Sequence, residues 1–257
     1  MQAGYAAPHC HARGGVRNRQ ASPAGASLWL LQAELDADAT LAWNGSQGDE
    51  ALFVERGALS WEGRLCPAGG VVVVESRART TLRSVGPSRI VHLGPQDATP
   101  PIGGLYGPAD PPGGGVHVVG PRGTFESRGE GRDSHFFADA TCPSCRLWLL
   151  HVSRSVAYES AIHSHSQDEL IHLLRGEIVL GSLRLGPGST VFIAADQPYR
   201  FRGGEHGFAF LNYRRDASEM TVRSTGEKLL EAGRARGLSP VPDSRGSQSK
   251  RWSAPGD

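Results

Sequence analysis

The chain has 257 residues, 39% of them hydrophobic, and its 27 Lys and Arg residues nearly balance its 26 Asp and Glu residues. This balance gives no charge excess that would attract nucleic acids or a membrane surface, so we expect neither as a partner. No apolar run approaches the roughly 18 residues that a membrane helix needs, and residues 1–27 lack the hydrophobic centre of a signal peptide. We therefore expect a cytoplasmic protein.

In chain order, residues 1–27 are rich in Ala, Gly, Arg and Ser, which predicts a disordered N-terminal extension. Short apolar or alternating runs separated by Gly and Pro then dominate, as in a β-sandwich or β-barrel. The predicted strands are 28–33, 51–55, 70–75, 89–93, 116–119, 147–153, 170–174, 177–180, 189–194 and 207–213. A Pro- and Gly-rich stretch between 95 and 115 predicts a linker, with a domain boundary near 110–116.

The C-terminal region predicts one short helix. Ser224 begins a capping box that includes Glu227, and Gly237 provides a stop, so we expect a helix over 223–238. Residues 239–257 mix Pro, Ser, Gly and charges without periodicity, which predicts a disordered tail.

Cys142 and Cys145 have the CxxC spacing that redox and zinc sites use. No second CxxC pair follows and no strand–helix context of a thioredoxin motif is present, so a turn entering the strand 147–153 is the favoured interpretation. A zinc site that joins this pair to His9, Cys10 and His11 is the weaker alternative, because that segment is predicted to be disordered.

The first half of the chain is a diverged copy of the second. Leu28-Trp29-Leu30-Leu31 recurs as Leu147-Trp148-Leu149-Leu150, an offset of 119 residues. The same offset maps Asp49-Glu50 onto Asp168-Glu169 and Gly69 onto Gly188, without a gap over about 28–94 against 147–213. A repeat of this length predicts two domains, at 28–110 and 116–222.

A candidate metal site lies in the second copy, in the motif that contains His163, His165 and Glu169. Alternate residues of a strand point to one face, so the two histidines and the following carboxylate can meet at one point. Two imidazoles and one carboxylate suit a non-haem Fe(II) or Mn(II) ion. The first copy has Asn44 and Ser46 at the histidine positions, which predicts a metal-free first domain.

The motif HxHxxxE, six further residues and Gly176, followed by the block 186–193 and Pro198-Tyr199-Arg200-Phe201, resembles the two motifs of the cupin superfamily over roughly 145–214. This resemblance implies an all-β bicupin, with two jelly-roll barrels in tandem and a degenerate first barrel. It also implies that His163, His165 and Glu169 hold the metal and that the second motif adds a histidine.

At the position of that histidine the chain has Tyr199. Tyr199 as a metal ligand, as a hydrogen-bond donor to bound water or substrate, and as a packing residue all stay open at this point. His206, in a nearby turn, is an alternative fourth ligand.

Three protein ligands leave coordination positions open, which favours catalysis over a closed structural site. We therefore expect a metal-dependent enzyme, a dioxygenase-like oxidoreductase acting on a small organic molecule, with one divalent metal per chain. Fe(II) or Mn(II) is favoured, with Zn or Ni as alternatives. Four arginines lie near the end of the second copy, and one of them could clamp a substrate carboxylate, although a surface charge is the favoured interpretation for most: Arg200, Arg202, Arg214 and Arg215.

Two other function classes stay open because a fold does not fix a function. The first is a non-catalytic small-molecule or metal-binding cupin of the sensor type. The second is a metal-dependent isomerase, decarboxylase or hydrolase. The sequence does not identify the substrate, and it does not decide whether the protein forms a homodimer.

Overall fold

A computed structural model of the protein describes residues 7–20, 25–98, 114–129, 131–139, 142, 144–225, 227–230 and 239–240. Within these ranges every regular secondary-structure element is a β-strand, and the strands form four antiparallel sheets. The predicted fold class, an all-β protein of two jelly-roll barrels, is confirmed. No helix in this part of the chain is long and apolar enough to cross a membrane.

The first barrel consists of two sheets that face each other. Its strands are β1 (Cys10–Arg13), β2 (Val16–Gln20), β3 (Leu28–Leu35), β4 (Thr40–Asn44), β5 (Glu50–Arg56), β6 (Ala58–Trp61), β7 (Arg64–Pro67), β8 (Val71–Val74), β9 (Arg79–Ser84), β10 (Ser88–Pro95) and β11 (Val116–Val119). One sheet has the order β1-β4-β9-β6-β7, and the other has the order β11-β8-β5-β10-β3-β2.

The second barrel is built around one large sheet. Its strands are β12 (Phe125–Gly129), β13 (Arg132–Ala138), β14 (Trp148–Arg154), β15 (Tyr158–Glu159), β16 (His163–His165), β17 (Glu169–Leu180), β18 (Leu183–Leu185), β19 (Thr190–Ile193), β20 (Phe201–Arg214), β21 (Glu219–Val222), β22 (Glu227–Leu230) and β23 (Ser239–Pro240). The large sheet has the order β18-β17-β20-β14-β13-β12-β23, with β15 on β20 and β19 on β17, and a smaller sheet has the order β16-β21-β22.

The two barrels share a core. All four residues of the valine run Val71–Val74 are fully buried. Val72 and Val74 belong to the hydrophobic cluster inside the first barrel, whereas Val71 and Val73 belong to a cluster shared with the second barrel. Because side chains alternate along a strand, a sheet buried on both faces needs continuous apolar runs of this kind. The sheet that contains β8 therefore lies between two cores.

The internal repeat is visible in the strand pairing. Glu50 of β5 pairs with Val74 of β8, and 119 residues later Glu169 of β17 pairs with Ile193 of β19. Gly57, which follows β5, and Gly176, which lies within β17, also correspond, since both have a positive φ, of 79° and 73°.

The correspondence shifts by one residue in the last strand. Leu93 of β10 pairs with Ala51, whereas Tyr213 of β20 pairs with Leu170. The offset between Leu93 and Tyr213 is 120 residues, one more than between Ala51 and Leu170. The second copy therefore contains one additional residue before the end of β20, which the gapless comparison of the sequences does not reveal.

Two aspartates at equivalent positions of the repeat connect the barrels reciprocally. Asp49 of the first copy accepts a hydrogen bond from the backbone N–H of Arg146 in the second. Asp168 of the second copy accepts one from the hydroxyl of Ser27 in the first. Each aspartate also accepts a backbone N–H from its own barrel. These bonds hold the two copies in a related arrangement at both ends of the contact.

The predicted extension over 1–27 is wrong for residues 10–20, which form β1 and β2. β1 pairs with β4 and β2 pairs with β3, so existing strand edges supply the backbone partners that local sequence does not reveal. The predicted boundary near 110–116 also needs correction. β11 pairs with β8, so Val116–Val119 completes a sheet of the first barrel.

The predicted helix over 223–238 is wrong for Glu227–Leu230, which forms β22 and pairs with β21. The neighbouring strand offers a ladder of backbone hydrogen bonds, and such tertiary pairing overrides a moderate helix propensity. The remainder, 231–238, lies outside the described residues, as does the predicted tail apart from β23.

Candidate metal centre

Three strands and one β-bridge bring the predicted site residues to one end of the second barrel. His163 and His165 lie on β16, and Glu169 begins β17. Glu169 is paired in register with Arg214, the last residue of β20. Tyr199 forms an isolated bridge with His163, in which each backbone N–H donates to the other carbonyl, at 2.9 and 3.0 Å.

Glu169 is the most enclosed group of the site. Its side chain is fully buried, and its Oε2 accepts hydrogen bonds from Asn212 Nδ2 at 2.6 Å and from Arg214 Nε and Nη2 at 3.2 and 3.1 Å. Burial alone would raise the pKa of Glu169, but the positive charge of Arg214, the proximity of His165 and hydrogen bonds from Tyr199 and Asn212 hold it below its ordinary value. The carboxylate is therefore ionised.

Arg214 lies between the carboxylate and an imidazole. Its Nη2 is 3.1 Å from Glu169 Oε2 and also 3.1 Å from His165 Nε2. Arginine carries only donors, so His165 accepts this bond with the Nε2 lone pair. A metal bound by His165 Nε2 would use the same lone pair. The guanidinium therefore occupies a position where a cation contacts both His165 Nε2 and Glu169 Oε2.

His163 is oriented in the way that metal-binding histidines usually are. Its Nδ1 is 2.8 Å from the carbonyl oxygen of Ala161, so Nδ1–H donates and Nε2 carries the lone pair. Ligating histidines commonly donate their second ring N–H to a carbonyl or carboxylate in this manner. The imidazole of His163 also packs on two neighbours, with ring centroids 5.1 Å from His165 and 4.4 Å from Tyr199.

The other sequence candidates lie elsewhere. His206 is exposed in the middle of β20 and does not line the cavity of the site. Asp168, next to Glu169, accepts hydrogen bonds from Ser27 and from the backbone N–H of Ala195 at 2.7 Å. Asp168 therefore joins the barrels and does not face the metal position.

The donor set suits a divalent metal in its chemistry. It offers two imidazoles and an ionised carboxylate, and Oε1 of Glu169 is buried without a hydrogen-bond partner. In the described part of the chain, however, the ligand atoms of His163, His165 and Glu169 do not form a group within 4.8 Å of one another. Arg214 holds the centre of the set, so an ion and the guanidinium exclude each other there. The metal ligands remain a prediction.

A cavity of about 220 Å³ opens beside these groups. Its lining side chains are about half apolar, and the polar ones are Arg132, Arg154, Tyr158, Ser160, His163, His165, Tyr199, Asn212 and Arg214. The apolar wall is formed by Leu150, Val152, Ile171, Phe201, Phe208, Phe210, Met220 and Val222. A small molecule with one polar or charged end fits such a cavity.

The first barrel has a different arrangement around the equivalent carboxylate. Glu50 Oε2 accepts hydrogen bonds from Trp43 Nε1 at 2.6 Å and is 2.9 Å from His92 Nε2. Asn44 and Ser46, which replace the histidines, bond each other near the surface. The carboxylate of Glu50 is therefore surrounded by an indole and one histidine from another strand, and a metal-free first barrel stays a prediction.

Asn212 is the site residue that sequence analysis missed. The offset of 119 residues places Leu93 opposite Asn212, but the one-residue shift in β20 makes His92 the true counterpart. His92 contacts Glu50 and Asn212 hydrogen-bonds Glu169, and these two glutamates are equivalent in the repeat. The repeat therefore indicates a polar partner for the glutamate in each barrel, once the shift of one residue is taken into account.

No protein-family model matches the chain, and no curated protein sequence matches it. Solved structures do. The oxalate decarboxylase of Bacillus subtilis, described for its Mn(II) centres, is 13% identical over 84% of this chain and 79% of its own, with a TM-score of 0.59. The oxalate decarboxylase of Lactobacillus farciminis, in a formate complex, is 12% identical over 84% and 88%, with a TM-score of 0.60.

A cupin 2 conserved barrel domain protein from Leptotrichia buccalis is 10% identical over 79% of this chain and 89% of its own, with a TM-score of 0.52. At these identities the likeness establishes the fold. It does not establish a substrate, a metal or a reaction.

Proposed function

We propose that this protein, whose two barrels have the cupin fold, is a metal-dependent enzyme that acts on a small organic acid in its second barrel. The observation that carries the proposal is a single cation position, shared by the buried carboxylate of Glu169 and the imidazole of His165, at the wall of a small cavity. A dioxygenase-like oxidation that uses Fe(II) or Mn(II) is the reaction class that we propose.

His163, His165 and Glu169 would hold the metal. When bound, a divalent ion with open coordination positions polarises a substrate oxygen and, as Fe(II) or Mn(II), gives access to O₂ chemistry. The protein keeps the ligands ready for this role. Ala161 fixes the tautomer of His163, while Asn212 and Tyr199 orient the carboxylate of Glu169.

Arg214 suggests the substrate class. Its guanidinium lines the cavity and is buried, and an ion at the position it now holds would displace it by charge repulsion. The displaced guanidinium can then bind a substrate carboxylate in a bidentate manner, and Arg132 and Arg154 line the same cavity as further cations. The oxalate decarboxylases have the same fold, and one of them is complexed with formate, so they favour a small carboxylate as the substrate proposed here.

The apolar wall of the cavity has a separate role. Phe201, Phe208 and Phe210 limit the access of water on one side of the cavity, which strengthens the interaction of Arg214 with an anion. A volume of about 220 Å³ admits only a small molecule. Large aromatic polymers and nucleotides are therefore poor candidates.

A second candidate function is a non-catalytic cupin that binds a small anion without a metal. The observation that favours it is the ion pair of Arg214 and Glu169, since the guanidinium already neutralises the carboxylate. In that case the protein would bind small carboxylates in the presence of a chelator and would turn none of them over.

The proposed function is tested by metal analysis of anaerobically purified protein, followed by oxygen-consumption assays with small keto acids and dicarboxylates. We expect Fe or Mn in the wild-type protein, loss of that metal from the His163→Ala/His165→Ala variant, and metal-dependent turnover of at least one acid. His206→Ala is the matched control, because His206 is exposed outside the cavity, and it should keep metal and turnover. Full Fe or Mn content in the double variant would contradict the proposal.

A further inference from the structure

A second group of metal-binding side chains lies where the two barrels meet. Glu75 directly follows β8, and His117 lies on β11, both in the first barrel. Cys142 and Cys145 precede β14 of the second barrel. The ligand atoms of Glu75, His117 and Cys142 all lie within 4.8 Å of one another, and Cys145 is joined to Cys142 by a disulfide.

These groups are enclosed. Glu75 and His117 are 1% and 2% exposed, and Cys142 and Cys145 are 8% and 5% exposed. Enclosure of this kind is costly for a carboxylate unless its charge is compensated. The buried carboxylate therefore needs partners within the cluster.

Glu75 is held as an anion. Its Oε1 is 2.6 Å from His117 Nε2 and accepts a hydrogen bond from the Ser144 hydroxyl, and its Oε2 accepts the N–H of Gly115 at 2.6 Å. These hydrogen bonds favour the charged form of the carboxylate. A carboxylate and an imidazole thus lie beside the sulfur of Cys142, which is bonded to the sulfur of Cys145.

We propose that Cys142, Cys145, His117 and Glu75, with the disulfide reduced, form a tetrahedral zinc site that links the two barrels. Two thiolates, one imidazole and one carboxylate are the donors that Zn²⁺ accepts in four-coordinate sites. The CxxC spacing allows both sulfurs to reach one ion, and the fold supplies the other two ligands from a strand and a turn of the first barrel. The site is separate from the proposed catalytic metal and does not depend on it.

The redox state controls this site. A dithiol reductant breaks the Cys142–Cys145 bond by supplying two electrons and two protons, and is itself converted to a disulfide. The two thiols then lose two protons as they bind Zn²⁺. In the oxidised protein both sulfurs are occupied by their mutual bond, so the oxidised protein cannot bind zinc there.

The sequence contained only half of this signal. The CxxC pair lacks a second CxxC, and the alternative with His9, Cys10 and His11 differs from the group that the structure assembles. Cys10 lies on β1, where it is paired with Trp43 of β4. Among the described residues, the first barrel completes the site through Glu75 and His117.

The test uses the full-length His163→Ala/His165→Ala variant, so that the proposed catalytic site takes up no ion. The protein is reduced with a dithiol, freed of reductant and titrated anaerobically with Co²⁺, then with Zn²⁺. We expect one Co²⁺ per chain, a thiolate-to-cobalt charge-transfer absorption, and displacement of the Co²⁺ by Zn²⁺. The same protein with its disulfide intact should show no such absorption, a comparison that needs no change in the cluster.

Substitutions identify the ligands. Adding Cys145→Ser should lower the charge-transfer absorption to about half or less, because one of the two thiolates is lost, and adding His117→Gln should weaken Zn²⁺ binding by at least about tenfold. Cys66→Ala is the matched control, because Cys66 is a buried free cysteine in the first barrel, and it should change neither. If the reduced protein shows no thiolate-to-cobalt absorption, or if zinc stoichiometry survives Cys142→Ser with Cys145→Ser, the proposal is wrong.

Discussion

At the scale of single residues, the second barrel places one arginine where a metal ion would be expected. Arg214 Nη2 contacts both Glu169 and His165 at 3.1 Å, and it therefore compensates the charge of a fully buried carboxylate. A buried charge that loses its partner costs far more than the pair contributes. The arginine and the ion are thus alternative partners for the same anion.

We predict that Arg214→Met destabilises the metal-free protein by about 3–5 kcal/mol, because Glu169 loses its cation. Addition of Mn²⁺ should restore much of this loss, since an ion that binds only the folded state stabilises it. Denaturant unfolding with a chelator and with Mn²⁺ measures both effects. Arg184→Met serves as the control, since Arg184 pairs with Glu177 on the surface and such pairs contribute about 1 kcal/mol or less. Equal losses in the two variants would contradict the prediction.

Tyr199 occupies the place of the missing cupin histidine and hydrogen-bonds Glu169. We predict that Tyr199→Phe lowers metal affinity by about tenfold or more, because the variant removes only the hydroxyl that orients the carboxylate. Metal retention during dialysis against a chelator measures this. Tyr158→Phe is the control, because Tyr158 lines the same cavity and packs on Arg154. Unchanged affinity in Tyr199→Phe would assign Tyr199 to packing alone.

The sequence identified His163, His165, Glu169 and Tyr199 because each lies within a short motif. It undervalued Arg214 and missed Asn212, because both act from a strand that is distant in sequence. Their contribution depends on the register between β17 and β20, and local spacing carries no information about that register.

At the scale of elements, the pairing of β17 with β20 depends on glycine. Gly176 has a φ of 73°, and a Cβ at this position would lie 2.1 Å from the carbonyl oxygen of Gly207 and 2.8 Å from Phe208 Cα. Backbone atoms cannot move away as the end of a side chain can. This glycine sits at an irregularity in the strand pairing, where the strand bends.

We predict that Gly176→Ala costs about 3 kcal/mol or more, since it adds both a strained φ and a backbone overlap. Thermal unfolding of the full-length protein measures the loss. Gly186→Ala is the matched control, because Gly186 has no positive φ and no atom within 4 Å of an added Cβ, and it should leave the midpoint nearly unchanged. A similar midpoint for both variants would show that the backbone around Gly176 can shift to accept a Cβ.

The elements that the sequence predicted well are the strands with a strong apolar pattern, such as β3, β8 and β14. It failed for β1, β2 and β22, which gain stability from the strands beside them. It also did not predict β4, β6, β7, β9, β12, β13, β15, β18, β21 and β23 as strands. A helical capping box at Ser224 could not outweigh the hydrogen bonds offered by β21. Edge pairing is a tertiary effect, so local propensity cannot predict it.

At the scale of the whole molecule, the contact between the barrels contains a histidine that is buried in its neutral form. His172 of β17 lies 3.2 Å from Gln32 of the first barrel and 2.8 Å from the hydroxyl of Thr190. Burial, and to a lesser degree the positive charge of Arg89, lowers the pKa of His172 from 6.5 to about 4. Folding therefore opposes protonation of His172.

The sign of the effect on stability follows from linkage. Above pH 6.5 His172 is neutral in both states, so stability is complete, and it falls as the pH drops from 6.5 toward 4 because only the unfolded chain takes up the proton. We predict a loss of about 2.5 kcal/mol from this residue by about pH 4.5. The free energy of unfolding of wild-type protein and His172→Gln, measured at about pH 7.5 and about pH 4.5, isolates it. Identical pH dependence in the two proteins would contradict the prediction.

The reciprocal bonds of Asp49 and Asp168 have a consequence for how such a protein can evolve. Each copy supplies one carboxylate and one donor to the contact, so separating the copies would remove one hydrogen-bond partner from each aspartate and expose the apolar sheet between the two cores. The second copy, which contains the predicted metal ligands, is therefore covered and held by the first. Retention of the first barrel needs no chemistry of its own to explain it.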